Sequence, residues 1–207
     1  MQSLSKPFFL GVIAMAIIVV ISNILVQHLF GNWLTLAAFT YPFAFLVTDL
    51  INRTLGVAKA RQVVFIGFMI GVFCSLIASQ LVNGDGQALT TLRIALGSGV
   101  AFLVAQLVDV SIFNRLRAKV WWQAPLVSSF IGSTIDMGLF FSIAFSATFA
   151  FIDPTDPNGW ALEAVPLLGI GPVLPLWVSL ALADFLVKVT IVFIALIPYR
   201  LFTLKSV

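Results

Sequence analysis

Six long apolar runs fill most of this chain, and its lysines and arginines collect in every second gap between them. That pattern excludes a water-soluble fold. Charged residues are 9% of the chain and hydrophobic ones 61%, with a mean hydropathy of +1.12. A soluble domain carries about a quarter charged residues. A helix needs about 20 apolar residues to cross about 30 Å of hydrocarbon. The runs are Phe8–Gln27, Leu34–Ile51, Val63–Val82, Leu92–Phe113, Ala124–Ile152 and Gly171–Pro198. They predict an all-α integral membrane protein with six transmembrane helices, and a single transmembrane domain over residues 1–207. The second run is short. The fifth exceeds a crossing, and is expected to tilt or to extend beyond the bilayer.

Loop charge sets the expected orientation. Gap two holds Arg53, Lys59 and Arg61, gap four holds Arg115, Arg117 and Lys119, and the ends hold Lys6, Arg200 and Lys205. The other gaps hold Asp85, Asp153, Asp156 and Glu163, with no lysine or arginine. Both termini are therefore expected in the cytoplasm. The pI near 9.4 follows from this bias, and no basic face is left over for nucleic acid. The first run outlasts the core of a signal peptide and no small-x-small site closes it, so it is read as a retained helix. Cys74 stands alone, which excludes a disulfide framework and a cysteine-based metal cluster. No metal or cofactor is expected.

A charged side chain at mid-helix costs about 2.5–3.5 kcal/mol on insertion scales, so intramembrane charges are functional candidates. Asp49, Arg53, Arg93, Asp109, Asp136, Asp184 and Lys188 lie within or at the ends of runs, joined by Asn23, Gln27, Gln80, Gln106 and Asn114. All are expected to face the bundle interior. Asp49 with Arg53, and Asp184 with Lys188, are spaced four apart with the acid first, the favourable order for an ion pair on one helix face. Mutual neutralisation and a ligand role are both open for each pair. Asp136 has no basic residue within a turn. It must find a distant partner, take a proton or bind something, and Arg93 and Lys188 are the candidate partners.

Other features have blander readings. Gly67 and Gly71, Gly97 and Gly99, and Gly132 and Gly138 fit close helix contacts. Tyr41-Pro42 is expected to kink or unwind the second helix, because proline removes a backbone donor. His28 and the tryptophans Trp33, Trp121, Trp122, Trp160 and Trp177 fall near run ends, as interfacial residues do, and one or two tryptophans are free to stack on a planar ligand. Asn83-Gly-Asp-Gly-Gln87 lacks the ligands of a calcium loop and reads as a turn.

The runs of polar and aromatic residues carry a family likeness. Ser22-Asn23-x-Leu25-Val26-Gln27, Tyr41-Pro42-Phe43-x-Phe45-Leu46-x-Thr48-Asp49-Leu50, and Gln106-x-x-Asp109 followed by Phe113-Asn114-Arg115-Leu116-Arg117 are three of its parts. Trp121-Trp122-x-Ala124-Pro125, Ser129-x-x-Gly132-x-x-x-Asp136 and Asp184-Phe185-x-x-Lys188 complete it. Together they resemble the YhhQ-like queuosine precursor transporter family, over roughly Asn23 to Pro198. The loop with Pro154, Pro157 and Pro166 resembles it less. The resemblance implies uptake of 7-cyano-7-deazaguanine, with its aminomethyl relative also open, across the bacterial inner membrane for queuosine modification of tRNA. The family also resembles the six-helix substrate-capture subunits of energy-coupling-factor transporters, as a fold analogy.

Such a cargo presents ring N–H and amine donors beside a carbonyl acceptor. A carboxylate accepts both donors, and an amide or guanidinium serves the carbonyl. The expected donor-reading acid is Asp136 or Asp184, with Asn23, Gln27 or Gln106 at the carbonyl. Asp49, Arg93, Asp109 and Lys188 complete the candidate set. Two rivals stand beside a self-sufficient carrier. One is a capture subunit served by an ATP-driven partner, since no Walker-type motif occurs here. The other is an intramembrane enzyme, disfavoured by a single histidine and no metal-ligand cluster. A homo-oligomer and proton coupling are left open.

Overall fold

The computed structural model describes residues 6–25, 29–30, 34–82, 84 and 88–204. In chain order its helices are α1 (Lys6–Leu25), α2 (Ala37–Thr40), α3 (Pro42–Leu55), α4 (Val57–Ala78), α5 (Leu92–Leu116), α6 (Gln123–Phe145) and α7 (Leu176–Leu204). Five of them, α1 and α4 to α7, are long and apolar enough to cross a membrane, with peak mean hydropathies from 1.5 to 2.7. Large apolar side chains cover their outer faces: Met69, Phe73 and Ile197 are each more than 60% exposed. A water-soluble protein does not present apolar surface on this scale. The chain is a multi-pass membrane protein.

The run Leu34–Ile51 does not form one uninterrupted helix. The break expected at Tyr41-Pro42 is present: α2 ends at Thr40, and α3 restarts with Pro42 in its first turn, where the missing N–H costs nothing. Tyr41 itself stays helical in φ and ψ, at −58° and −37°. The second gap shrinks to Gly56, whose φ of +87° favours glycine. Arg53, Lys59 and Arg61 therefore sit on helix ends and not in a loop.

The fifth run ends sooner than its apolar length suggests. Ser146 is extended and its hydroxyl accepts from the Thr148 N–H at 3.2 Å, so α6 stops at Phe145 and the surplus winds as a 3-10 turn, Ala147–Ile152. The sixth run starts late, at Leu176, and runs through Pro198 to Leu204. Two antiparallel hairpins lie between helices, β1 (Leu29–Phe30) with β2 (Leu34–Thr35), and β3 (Ala164–Pro166) with β4 (Val173–Pro175).

Small residues set the helix spacing. A Cβ at Gly67 would lie 2.7 Å from Met15 Cγ, so α1 and α4 meet face to face over Met15, Val63 and Val64, with Phe102 of α5 packed against them. A Cβ at Gly132 would lie 2.7 Å from the Phe45 ring, which brings α6 onto α3. Gly138, by contrast, faces open space.

Candidate functional site

Helix ends α1, α4 and α6, and helix starts α2, α5 and α7, surround a cavity of about 210 Å³. It is smaller than the ~300–1,000 Å³ of drug-sized sites, so it suits a single small ring system. Its wall is mostly apolar and aromatic, with Tyr41, Phe140, Phe141, Phe145 and Trp160. Asn23, Asp136, Asp184 and Lys188 are its polar groups of interest. The Asn23 amide donates to Val19 O at 2.9 Å, which fixes its orientation on the last turns of α1.

Lys188 ties two helices together at this wall. Its Nζ lies 2.6 Å from Asp136 Oδ2 on α6 and 2.6 Å from Asp184 Oδ2, one turn earlier on α7. The contact to Asp136 is an aligned hydrogen bond. The contact to Asp184 is as short but less well aligned. Asp136 and Asp184 thus share one ammonium, which bridges α6 and α7 at the cavity wall. The ammonium also stands 5.4 Å from the Tyr41 ring centroid, over a face that attracts cations. Asp136, Asp184 and Lys188 are all buried. Three charges desolvated together carry a net negative charge when all are ionised, and no further cation lies within 4 Å of either acid among the described residues.

Arg93 does not meet Asp136. It donates to Ile143 O (3.2 Å) and Ser146 O (2.7 Å), and its Nε lies 3.8 Å from Asp156. Thr91, the N-cap of α5, donates to Asp156 Oδ2 at 3.1 Å, and the Asn158 amide donates back to Thr91 at 3.4 Å. These contacts pin the segment after α6 against α5. That segment carries Trp160, whose ring packs 5.7 Å from Phe145 and closes part of the cavity.

Asp49, Gln106 and Asp109 lie away from that cavity, nearer the opposite ends of α3 and α5. The expected Asp49–Arg53 ion pair is not formed. Arg53 turns to donate to Arg117 O, and Arg117 returns a bond to Arg53 O at 3.4 Å. Those backbone carbonyls lie at a helix end, where they need donors. Asp49 accepts instead from Ser129 Oγ on α6 at 3.4 Å. Gln106 accepts from Thr48 at 2.9 Å. Gln27, His28, Trp33 and, apart from Gly84, the 83–87 turn lie outside the described residues.

Several cavity residues were not singled out by sequence. Tyr41, expected as part of a kink and of the family motif but not as a site residue, sets its ring beneath Lys188, with its hydroxyl towards Ser98. Ser22 bonds Thr40 at 2.8 Å across α1 and α2. Phe140, Phe141 and Phe145 carried a weak signal, since they follow Asp136 by one to three turns on the same helix. Trp160 is marked only as one of five tryptophans near run ends, of which one or two are free to stack on a planar ligand.

A family model described as a putative vitamin uptake transporter matches residues 35–202. A protein of Haemophilus influenzae called a probable queuosine precursor transporter is 39% identical over 141 residues, covering 63% of this chain and 57% of that protein. The chain thus spans less than two thirds of that relative's length. The Escherichia coli K12 queuosine precursor transporter is 32% identical over 88% of this chain and 79% of its own length. A Bacillus subtilis probable queuosine precursor transporter is 28% identical over 83% of this chain and 72% of its own. No solved structure matches.

Proposed function

The chain belongs to the putative vitamin uptake transporter family, and from that membership we propose that it imports a queuosine precursor, 7-cyano-7-deazaguanine or its aminomethyl relative, and acts as a carrier and not as an enzyme. The relatives that bear the name queuosine precursor transporter support the cargo class. The observation that carries the reading is the cavity itself: a small aromatic hollow with a lysine-bridged pair of carboxylates on its wall.

Each part has a task in holding a flat, polar heterocycle. Asp184 offers acceptor oxygens to the paired ring N–H and amine donors, a charge-assisted contact. Lys188 orients Asp184, while its hydrogen bond to Asp136 holds α6 against α7. Asn23 is in reach of the cavity for the carbonyl edge. Phe140, Phe141 and Trp160 supply faces for stacking, where an offset ring pair gains about 0.5–1.5 kcal/mol beyond area burial.

The membrane arrangement follows the same reading. The broken α2–α3 segment makes a sixth crossing with both termini in the cytoplasm of the inner membrane, so the cavity opens from the outer half. A crossing interrupted beside a binding cavity is a recurrent transporter device. The test is uptake of radiolabelled 7-cyano-7-deazaguanine by proteoliposomes holding the purified chain alone. Uptake by wild type that falls at least tenfold in Asp184→Asn supports the carrier. Binding without uptake would assign the chain to a partner-driven capture subunit. Unchanged uptake in both Asp136→Asn and Asp184→Asn would remove the site.

A further inference from the structure

We propose that Asp49 and Asp109, a second pair of buried acids outside the cargo cavity, form a proton-binding site that couples cargo movement to the proton gradient, an inference that rests on the carrier reading above. Both side chains are at most 2% exposed. They face one another between α3 and α5, with Ser128 and Ser129 of α6 closing the site. The two carboxyls, Ser128 and Ser129 lie within hydrogen-bonding reach of one another. Yet neither Asp109 oxygen, nor Asp49 Oδ1, nor the wholly buried Ser128 Oγ makes a well-aligned hydrogen bond among the described residues.

The charge balance is the core of the argument. The nearest further titratable group is Tyr199 on α7, which interacts with Asp49 and also with Arg53 on α3 and Arg117 just past α5. Arg53 and Arg117 spend their donors on each other's backbone carbonyls. No cation lies within 4 Å of Asp49 or Asp109 among the described residues. Two ionised carboxylates side by side without a counter-charge in a dry interior are prohibitively costly. The adjoining cavity, bordered by Asp49 and Ser129, measures about 10 Å³, which is room for one water at most. A hydrated ion does not fit, whereas a proton adds no volume. A proton on one carboxyl oxygen supplies the donor that the facing carboxylate lacks, and its departure to cytoplasmic water leaves both acids bare.

The site is also placed to respond to helix motion. Asp49 lies on α3, two turns past the Tyr41-Pro42 break, and Tyr41 forms part of the cargo cavity. Asp109 lies on α5 eleven residues beyond Ser98, a cavity residue, or about 16 Å along the helix. A shift of α3 against α5 on cargo binding therefore changes the separation of the two carboxylates. That separation decides whether the shared proton is held.

The experiment uses purified chain in proteoliposomes, in two stages. Counterflow of radiolabelled 7-cyano-7-deazaguanine at equal pH on both sides asks whether the chain carries the cargo at all. An acid-outside gradient then asks for accumulation. With one proton per cargo, wild type should accumulate up to about tenfold per pH unit, and the ratio should fall to about one in Asp109→Asn and in Asp49→Asn. The amide is isosteric with a protonated acid but cannot release a proton. Wild-type counterflow without gradient-driven accumulation, or accumulation retained in both variants, overturns the proton site and leaves the carrier standing. Absence of counterflow overturns both. Accumulation driven by a sodium gradient at equal pH, and lost in the same variants, assigns the pair to sodium and overturns the proton. A readout independent of the variants is the infrared spectrum of wild type. A buried protonated-carboxyl stretch at neutral pH is expected, and its absence overturns the proposal.

Discussion

Lys188 is flanked by two carboxylates on different helices, so its removal strands two buried negative charges at once. Breaking a buried pair by deleting one partner costs about 3–5 kcal/mol. Lys188→Met is accordingly expected to lower thermal stability in detergent by that order. The triple change Asp136→Asn, Asp184→Asn, Lys188→Met should recover most of the loss, because the stranded charges are gone, yet transport no cargo. Recovery of uptake along with stability would make the three residues structural only. The i, i+4 spacing of Asp184 and Lys188 was readable in the sequence, and the structure forms that pair at 2.6 Å. The identical spacing of Asp49 and Arg53 misled, because Arg53 lies where unpaired carbonyls at a helix end compete for its donors. Asp136 found its partner 52 residues away, a pairing that depends on how α6 and α7 face each other and that no local spacing encodes.

At the level of elements, the segment between α6 and α7 owes its position to Arg93. That residue is 6% exposed and bridges two α6-end carbonyls with Asp156. Arg93→Met would leave all three without it. The expected result is faster backbone hydrogen exchange across 153–163 and weaker cargo binding through Trp160, with membrane insertion intact; unchanged exchange would show that the clamp does not hold the loop. Sequence placed Arg93 among residues for the ligand because it is a charge within an apolar run, whereas the structure turns its guanidinium to the carbonyls at the end of α6. Helix ends were less legible than helix existence. The fifth run stops at Phe145 through the turn that Ser146 makes, and the sixth begins late because Val173–Pro175 pairs with β3. Apolar composition alone carries neither signal, whereas Pro42 announced the break before α3 because its missing N–H is a local fact.

For the whole molecule, the division of polar groups into two buried sites follows from where each acid sits along its helix, and the orientation proposed above rests on loop charge. Thr155, between α6 and α7, and Lys119, between α5 and α6, are both exposed. In a Cys74→Ser background, Thr155→Cys should react with a membrane-impermeant thiol reagent in intact cells, and Lys119→Cys only after permeabilisation. The reverse pattern would turn the cavity towards the cytoplasm and make the chain an exporter. The fold of the crossing helices was legible because their apolar length exceeds what any soluble element needs. The cavity was not, since it arises where side chains of six helices and a loop happen to leave space. Its role is tested most directly by equilibrium binding of radiolabelled 7-cyano-7-deazaguanine to the purified chain. Saturable binding that weakens about tenfold or more in Asp184→Asn, as loss of a charge-assisted hydrogen bond requires, is the expected result. Equal affinity in wild type, Asp136→Asn and Asp184→Asn would contradict a cargo site at the Lys188 carboxylate pair.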